Sequence, residues 1–313
     1  MPAAEQLGLE GMPRRLFAAT PSRLTAFTSC PRLYRFTYLV RPQPPKGQPW
    51  AHNSLGAAVH NALRDWWLLP VPRRTPEAAG ALLDAGWIAE GFAGPEQSAQ
   101  WRSRARQWVQ AYAATLDPAD EPLGVERSVG VPSGRLALSG RVDRIDTRDG
   151  ELVIVDYKTG RWVPSTDDAR GSLALAVYVL AARRTLRRPG SRVELHHLPT
   201  GRVAGWDHTE QSLARHVRRA EDTAEDIETA AGRLASGADP DEAFPPAAGR
   251  HCGWCDFRRH CPEGRAASPE LSSWAGLGEP ERPDPAGAPA GDAAGGRAGD
   301  RVAGGRAGDP AEE

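Results

Sequence analysis

At 313 residues the chain can hold one large domain or two modest ones, and 40% hydrophobic residues are enough for a core. The formal net charge of −1 neither announces a nucleic-acid binder nor excludes a local basic groove. The longest apolar run, 173–182, has about half the length that a bilayer span needs, and Arg14 and Arg15 have no apolar stretch behind them. Neither a membrane span nor a secretory signal is therefore expected, and the expected location is cytoplasmic.

In chain order, residues 1–20 are expected to be flexible, and 24–40 carry apolar and aromatic residues at helical spacing around Cys30 and Pro31. Four prolines keep 41–50 out of regular structure. Residues 54–69 read as a helix capped by Ser54, with His60 inside it, and 77–92 and 97–116 as two more before a break at 117–124. The pattern then turns to period two. Residues 125–131, 136–147 and 151–158 predict a three-strand meander, with a helix at 168–188 packed on it. Residues 193–198 and 203–206 predict a hairpin around Pro199-Thr200-Gly201, and 211–236 a helix leading into a cysteine cluster. This order predicts an α/β domain over 21–268, a mixed central sheet flanked by helices. From 269 to 313 the composition collapses to Gly, Ala, Pro, Asp and Arg, with Gly-Gly-Arg-Ala-Gly-Asp at 295–300 and again at 304–309. Such a segment cannot offset its ordering entropy and is expected to be disordered.

The chemistry starts at a lysine. Of 39 basic residues only Lys46 and Lys158 are lysines. A lysine kept in an arginine-dominated chain points to a task that needs a compact ammonium and not a guanidinium fork. Lys158 lies in Val155-Asp156-Tyr157-Lys158-Thr159-Gly160, and Gly140-Arg141-Val142-Asp143-Arg144-Ile145-Asp146 lies upstream. Asp149-Gly150 between them is a strong hairpin signal, because a type I′ turn needs positive φ at both central residues. A two-residue loop pairs Arg148 with Glu151 and sets Asp143 opposite Asp156, with Cβ atoms roughly 4.5–5.5 Å apart on one face. Two carboxylates so placed repel each other unless a cation bridges them or one is protonated. Strand period puts Lys158 on the face of Asp156. A surface hairpin with scattered charges is the bland alternative, and the scarcity of lysine argues against it.

Cys30, Cys252, Cys255 and Cys261 show C-x2-C-x5-C spacing with one distant partner. A reducing cytoplasm disfavours disulfides. Spacing alone leaves an iron–sulfur cluster and zinc even, with a Cys₃His zinc site conceivable because His251 and His260 flank the run. Either would staple residue 30 to the C-terminal segment. Glu126, on a neighbouring strand, is as readily an edge-strand charge as a third carboxylate. Arg183, Arg184, Arg187 and Arg188 make a basic helix face, a solvated surface on the ordinary reading and a phosphate contact on the functional one. The ten tryptophans are mostly core or boundary residues, though some suit base stacking. Neither lysine follows a glycine in a G-x-x-x-x-G-K-[ST] loop, which excludes a P-loop ATPase or helicase in this chain.

Together these segments resemble the PD-(D/E)xK nuclease superfamily, in its RecB-like, AddB-like branch that carries an iron–sulfur cluster. The resemblance runs from about 22 to 263. It rests on Ser29-Cys30-Pro31, Gly56-x3-His60, the Gly140–Asp146 run, the Val155–Gly160 run, Tyr178, and Cys252-x2-Cys255-x5-Cys261-Pro262. It implies a restriction-endonuclease-like core. It implies Mg²⁺ or Mn²⁺ held by His60, Asp143, Asp156 and the carbonyl of Tyr157, with Lys158 as the catalytic lysine. It implies a [4Fe-4S] cluster on the four cysteines, with zinc as the alternative. It also implies DNA, single-stranded or with free ends, as substrate in repair or recombination, and a separate helicase subunit as a possible partner. Tyr178, Arg183 and Arg187 are the expected substrate-binding residues. One position departs: where the family usually has a glutamine four residues before the helix tyrosine, this chain has Ala174. That departure leaves a non-catalytic DNA-binding or scaffold protein of the same fold as the rival reading, beside a zinc-stapled structural protein.

Overall fold

The computed structural model describes residues 16–278. Its strands are β1 (Phe17–Ala19), β2 (Gly124–Ser133), β3 (Leu136–Arg148), β4 (Glu151–Lys158), β5 (Arg192–His197) and β6 (Arg202–Asp207). Helices α1 (Pro21–Ser29), α2 (Pro31–Tyr34), α3 (Ala51–Trp67), α4 (Pro76–Ala85) and α5 (Pro95–Ala113) come first. Then α6 (Thr166–Gly171) and α7 (Leu173–Leu186) link β4 to β5, and α8 (Glu210–Ala235), α9 (Pro240–Ala243) and α10 (Pro262–Ala267) follow. The strands form one mixed sheet in the order β1-β3-β4-β5-β6, with β2 also paired to β3. β4 and β5 run parallel, which requires the α6–α7 crossover between them.

β4 explains the two layers. Val153, Val155 and Tyr157 enter a core with α3, α4 and α5, while Leu152 and Ile154 enter another beneath α7. A strand apolar on both faces is a central strand covered on both sides. A third cluster joins β1, α1, α2, β3 and α8 through Ala19, Leu24, Tyr34, Leu136 and Ile227, with Phe244 packed among them. No described helix is long and apolar enough to cross a membrane.

The expected α/β architecture is present, and the local departures have physical reasons. The helix expected from Ser54 begins at Ala51, with Trp50 as N-cap. Its first N–H donates to the carbonyl of Ser273 at 2.9 Å, a partner too distant in sequence to be foreseen. The helix expected over 77–92 ends at Gly86. The helix expected over 168–188 is two, because Ser172 is extended and its hydroxyl caps α7 by accepting from Leu175 N–H. The boundary expected at 268 lies further on: Ser273 Oγ donates to the Gly91 carbonyl at 2.6 Å, and Leu277 packs on the α3–α5 core. The rest of the expected tail, and most of the expected flexible N-terminus, fall outside the described residues.

Candidate active site

The site sits where β3 parts from β4. The turn has φ +52° at Asp149 and +83° at Gly150, as a type I′ turn requires. Pairing then runs from Arg148↔Glu151 to Arg144↔Val155. One further step in that register would set Asp143 opposite Asp156. There the ladder stops, and the Asp143 carboxylate accepts the Tyr157 N–H at 2.8 Å in place of a backbone partner. β4 continues to Lys158 held on its other edge by β5, with which it pairs from Val153↔Arg192 through Lys158↔His197. On the other edge of β3, Val125 and Arg127 pair with Arg144 and Val142, which sets Glu126 opposite Asp143. Glu126 has φ +48°, costly for a residue with a side chain. The pleat slips at the same level: Val142 and Ile145, an odd number of residues apart, share one core cluster. Glu126, Asp143 and Asp156 thus form a row of acids across three strands where the sheet forks.

Helix α3 brings His60 to this row. Its Nδ1 is 3.4 Å from Asp143 Oδ2 and 3.8 Å from Glu126 Oε1, and its Nε2 is 3.2 Å from the Tyr157 carbonyl oxygen. Gly56, one turn earlier, permits the approach: a Cβ there would lie 3.3 Å from Thr159 Oγ1. His60, Glu126 and Asp143 offer ligand atoms within 4.8 Å of one another. Lys158 Nζ lies 2.8 Å from Asp156 Oδ2. From α7, the Tyr178 ring lies against Gly140, where a Cβ would meet ring carbon Cε1 at 2.3 Å.

Electrostatics follow from the crowding of acids. Burial by itself lowers the His60 pKa, but hydrogen bonds to Asp143 and Glu126, and the charges of Asp143 and Asp156, raise it to about 10. The crowded carboxylates thus favour positive charge at this point. Burial and the Asp143 charge push Asp156 up, against the pull of Lys158. Tyr178 is pushed up to about 12, by burial first and then by Asp156 and Asp143. Its hydroxyl is a donor at neutral pH.

The family model of the PD-(D/E)XK nuclease superfamily matches residues 18–262. The chain belongs to the PD-(D/E)XK nuclease superfamily. Two solved structures are similar to it more remotely. One, from Eubacterium rectale, is named "Putative exonuclease", with 12% identity over 82% of this chain and 93% of the other, and a TM-score of 0.45. The second is SSO0001, with 14% identity over 80% of this chain and 87% of the other, and a TM-score of 0.34. No curated protein matches.

Within this superfamily member the expected site residues divide. His60, Asp143 and the Tyr157 carbonyl are together, Asp156 and Lys158 are adjacent as an ion pair, and Tyr178 flanks them. Glu126, left open by the sequence, joins His60 and Asp143. Arg183 and Arg187 do not belong here. Arg183 is tied to the Gly190 carbonyl and to Glu210, and Arg187 is the left-handed cap of α7. The segment after α7 meets the start of β4, where Leu152 N–H donates to the Pro189 carbonyl. That is roughly 20 Å along the strand from Lys158.

The four cysteines form no disulfide with one another. Backbone N–H groups of Ala247, Gly249 and Gly264 lie 3.4 Å from the sulfurs of Cys30, Cys252 and Cys261. Gly264 abuts the sulfurs of both Cys252 and Cys261. Burial, and then the charges of Cys30 and Cys252, push the Cys255 thiol up to about 11. Arg32 links the same two segments, with Asp241 at 3.1 Å, Glu263 and the Cys261 sulfur as partners.

Proposed function

We propose that this chain is a Mg²⁺- or Mn²⁺-dependent DNA nuclease of the RecB-like type that works on single-stranded ends in DNA repair or recombination. The observation that carries the reading is the acid row at the fork with an ammonium beside it. His60, Glu126 and Asp143 would hold the ion, with Asp156 and the Tyr157 carbonyl at its margin. Carboxylate and carbonyl oxygens suit a hard cation, the acids that raise the His60 pKa favour positive charge at this point, and His60 would hold the ion as the neutral imidazole. When bound, the ion supplies Lewis acidity, polarising a phosphodiester oxygen and lowering the pKa of water.

The chain's own groups do the rest. Asp143 is locked by the Tyr157 N–H, so its second oxygen points from a fixed frame. Lys158, restrained by Asp156, donates to the attacking water or to the phosphate oxygens as negative charge grows on them. Tyr178, protonated, adds a neutral donor. The water oxygen bonds to phosphorus while the ester P–O bond breaks and its oxygen leaves with a proton.

The cysteines suit a [4Fe-4S] cluster in the same reading. Backbone N–H groups already serve three of the sulfurs, the environment that stabilises thiolates on iron. Its role would be structural, holding the segment after Cys30 against the segment before α10. A helicase subunit that unwinds duplex ahead of the site fits a nuclease without its own ATPase loop.

The test is cleavage of end-labelled single strands, with and without Mg²⁺ or Mn²⁺, by wild type and by Asp156→Ala and Lys158→Ala. Loss of about 10²–10⁴ in rate is expected for each variant. Wild-type cleavage by either would overturn the assignment. Brown, iron-containing protein from anaerobic purification is expected, and colourless zinc protein would remove the cluster from the reading.

A further inference from the structure

The cationic groups close to the acid row differ in what they are free to do. Lys158 is engaged by Asp156, and Arg144 is buried beneath Tyr157 and Tyr112 with Asp146 as its counter-ion. Arg141 is different. Its side chain is 70% exposed, and its Nε lies 2.7 Å from Glu126 Oε2. No other hydrogen bond or ion pair engages it among the described residues. The other oxygen of Glu126 faces His60. One carboxylate therefore touches the metal-ligand group with Oε1 and a solvent-facing guanidinium with Oε2. Glu126 does this from a left-handed backbone, an observed strain of the kind found where a side chain must be aimed.

Position on the strand agrees. Arg141 precedes Asp143 by two residues, before the pleat slips, and follows Gly140, on which the Tyr178 ring rests. The Arg141 charge acts on the Tyr178 hydroxyl together with those of Asp156, Asp143 and Lys158. Arg141 thus belongs to the rim of the site, facing water, where a polyanion would arrive.

We infer that Arg141 binds a backbone phosphate of the substrate strand beside the scissile one, its guanidinium fork presented by Glu126. The inference rests on the nuclease reading above. Holding Nε leaves Nη1 and Nη2 for two phosphate oxygens, a planar bidentate contact that an ammonium cannot make. Glu126 then couples the two halves of the site, since the oxygen that orients the arginine belongs to the carboxylate beside His60.

The experiment measures binding of a labelled single-stranded oligonucleotide to the full chain without divalent ions, across a salt series, for wild type, Arg141→Gln and Arg141→Lys. Thermal melting is run beside it. One phosphate contact on a single strand contributes about 0.7 to the slope of log K against log salt. Arg141→Gln is expected to lower the slope by about that amount and weaken binding roughly tenfold, with unchanged melting. Arg141→Lys is expected to keep the slope but not the full affinity. Wild-type affinity and slope in Arg141→Gln would overturn the inference, as would a lowered melting temperature with an unaltered slope. If wild type binds and cleaves, Asp156→Ala is dead and Arg141→Gln binds normally, this inference alone fails. If wild type neither binds nor cleaves single strands, the nuclease reading fails with it.

Discussion

Two rows of charge cross the same sheet, and they are built on opposite terms. On the α5 face, Arg144 meets Asp146 and the Tyr112 hydroxyl, Tyr112 meets His196 Nδ1 at 2.8 Å, and His196 Nε2 meets Glu194 at 2.9 Å. Glu194 also takes both Arg148 and Arg192. Each buried carboxylate there has more than one cationic partner, and the Glu194 pKa is driven well below the carboxylate range by His196, Arg148 and Arg192 despite burial. At the fork the ratio is reversed. Glu126, Asp143 and Asp156 crowd around one histidine and one lysine, the histidine is held protonated and Asp156 is pushed up. A satisfied row is a brace, and an acid-rich one suits a cation. By that balance the charged residues of one sheet fall into two sets, one structural and the other the proposed chemical site.

The sharpest way to break that contrast is to neutralise one member of each row. Asp143→Asn keeps an acceptor for the Tyr157 N–H and removes one of three crowded charges. Cleavage is expected to fall by about 10³–10⁴ while the melting temperature stays level or rises, since like-charge repulsion is relieved. A destabilised Asp143→Asn with normal turnover would show that the fork is a brace too.

The contrast also tells what the sequence could reveal. The hairpin and its register follow from Asp149-Gly150 and from the alternation of β4, both local. The fork does not, because past Val155 β4 is held only on its other edge, by β5, a parallel neighbour more than thirty residues downstream. His60 was a weak signal alone and gains meaning only when α3 lands on Tyr157. Glu126 stood even between a surface charge and a ligand, and its left-handed φ, invisible in sequence, decides where it points. Arg183 and Arg187 lie away from the acid row for the opposite reason. In an arginine-rich chain a basic helix face is common, and Arg183 is taken up by Gly190 and Glu210. Arg141 had no distinguishing local signal among its many equals.

The brace yields the next effect. Glu194 is 4% exposed, and Glu194→Ala strips the shared partner from His196, Arg148 and Arg192. Because both guanidiniums are nearly half exposed and can turn to water, the expected cost is about 2–3 kcal/mol, below that of a fully buried pair. A melting temperature lower by about 5–10 °C is expected by calorimetry, with turnover at 25 °C within about twofold of wild type. A loss of cleavage without a loss of stability would move Glu194 into the chemical set and undo the distinction.

A smaller effect comes from a third cluster, at the start of α8, and pH resolves it. His208 is 3% exposed, its Nδ1 lies 2.9 Å from the Ser212 hydroxyl, and its ring meets His216 at 5.5 Å between centroids. Burial, then the charges of His216 and Arg183, lower its pKa to about 4 from the ordinary 6.5. Between those values the unfolded chain takes up a proton that the folded chain refuses, so stability rises with pH there. The contribution is complete above 6.5 and is lost as pH falls toward 4. Burial lowers His216 as well, so it adds to the same limb. Glu194 has the same sign of dependence, but only below its ordinary 4.5, so most of the window belongs to the histidines. His208→Gln is expected to flatten the urea-midpoint profile between pH 6.5 and 4.5, removing about 1–2 kcal/mol of acid sensitivity. An unaltered slope would mean that His208 charges freely in the folded state, and that its burial against His216 and Ser212 is relieved by local opening before it titrates.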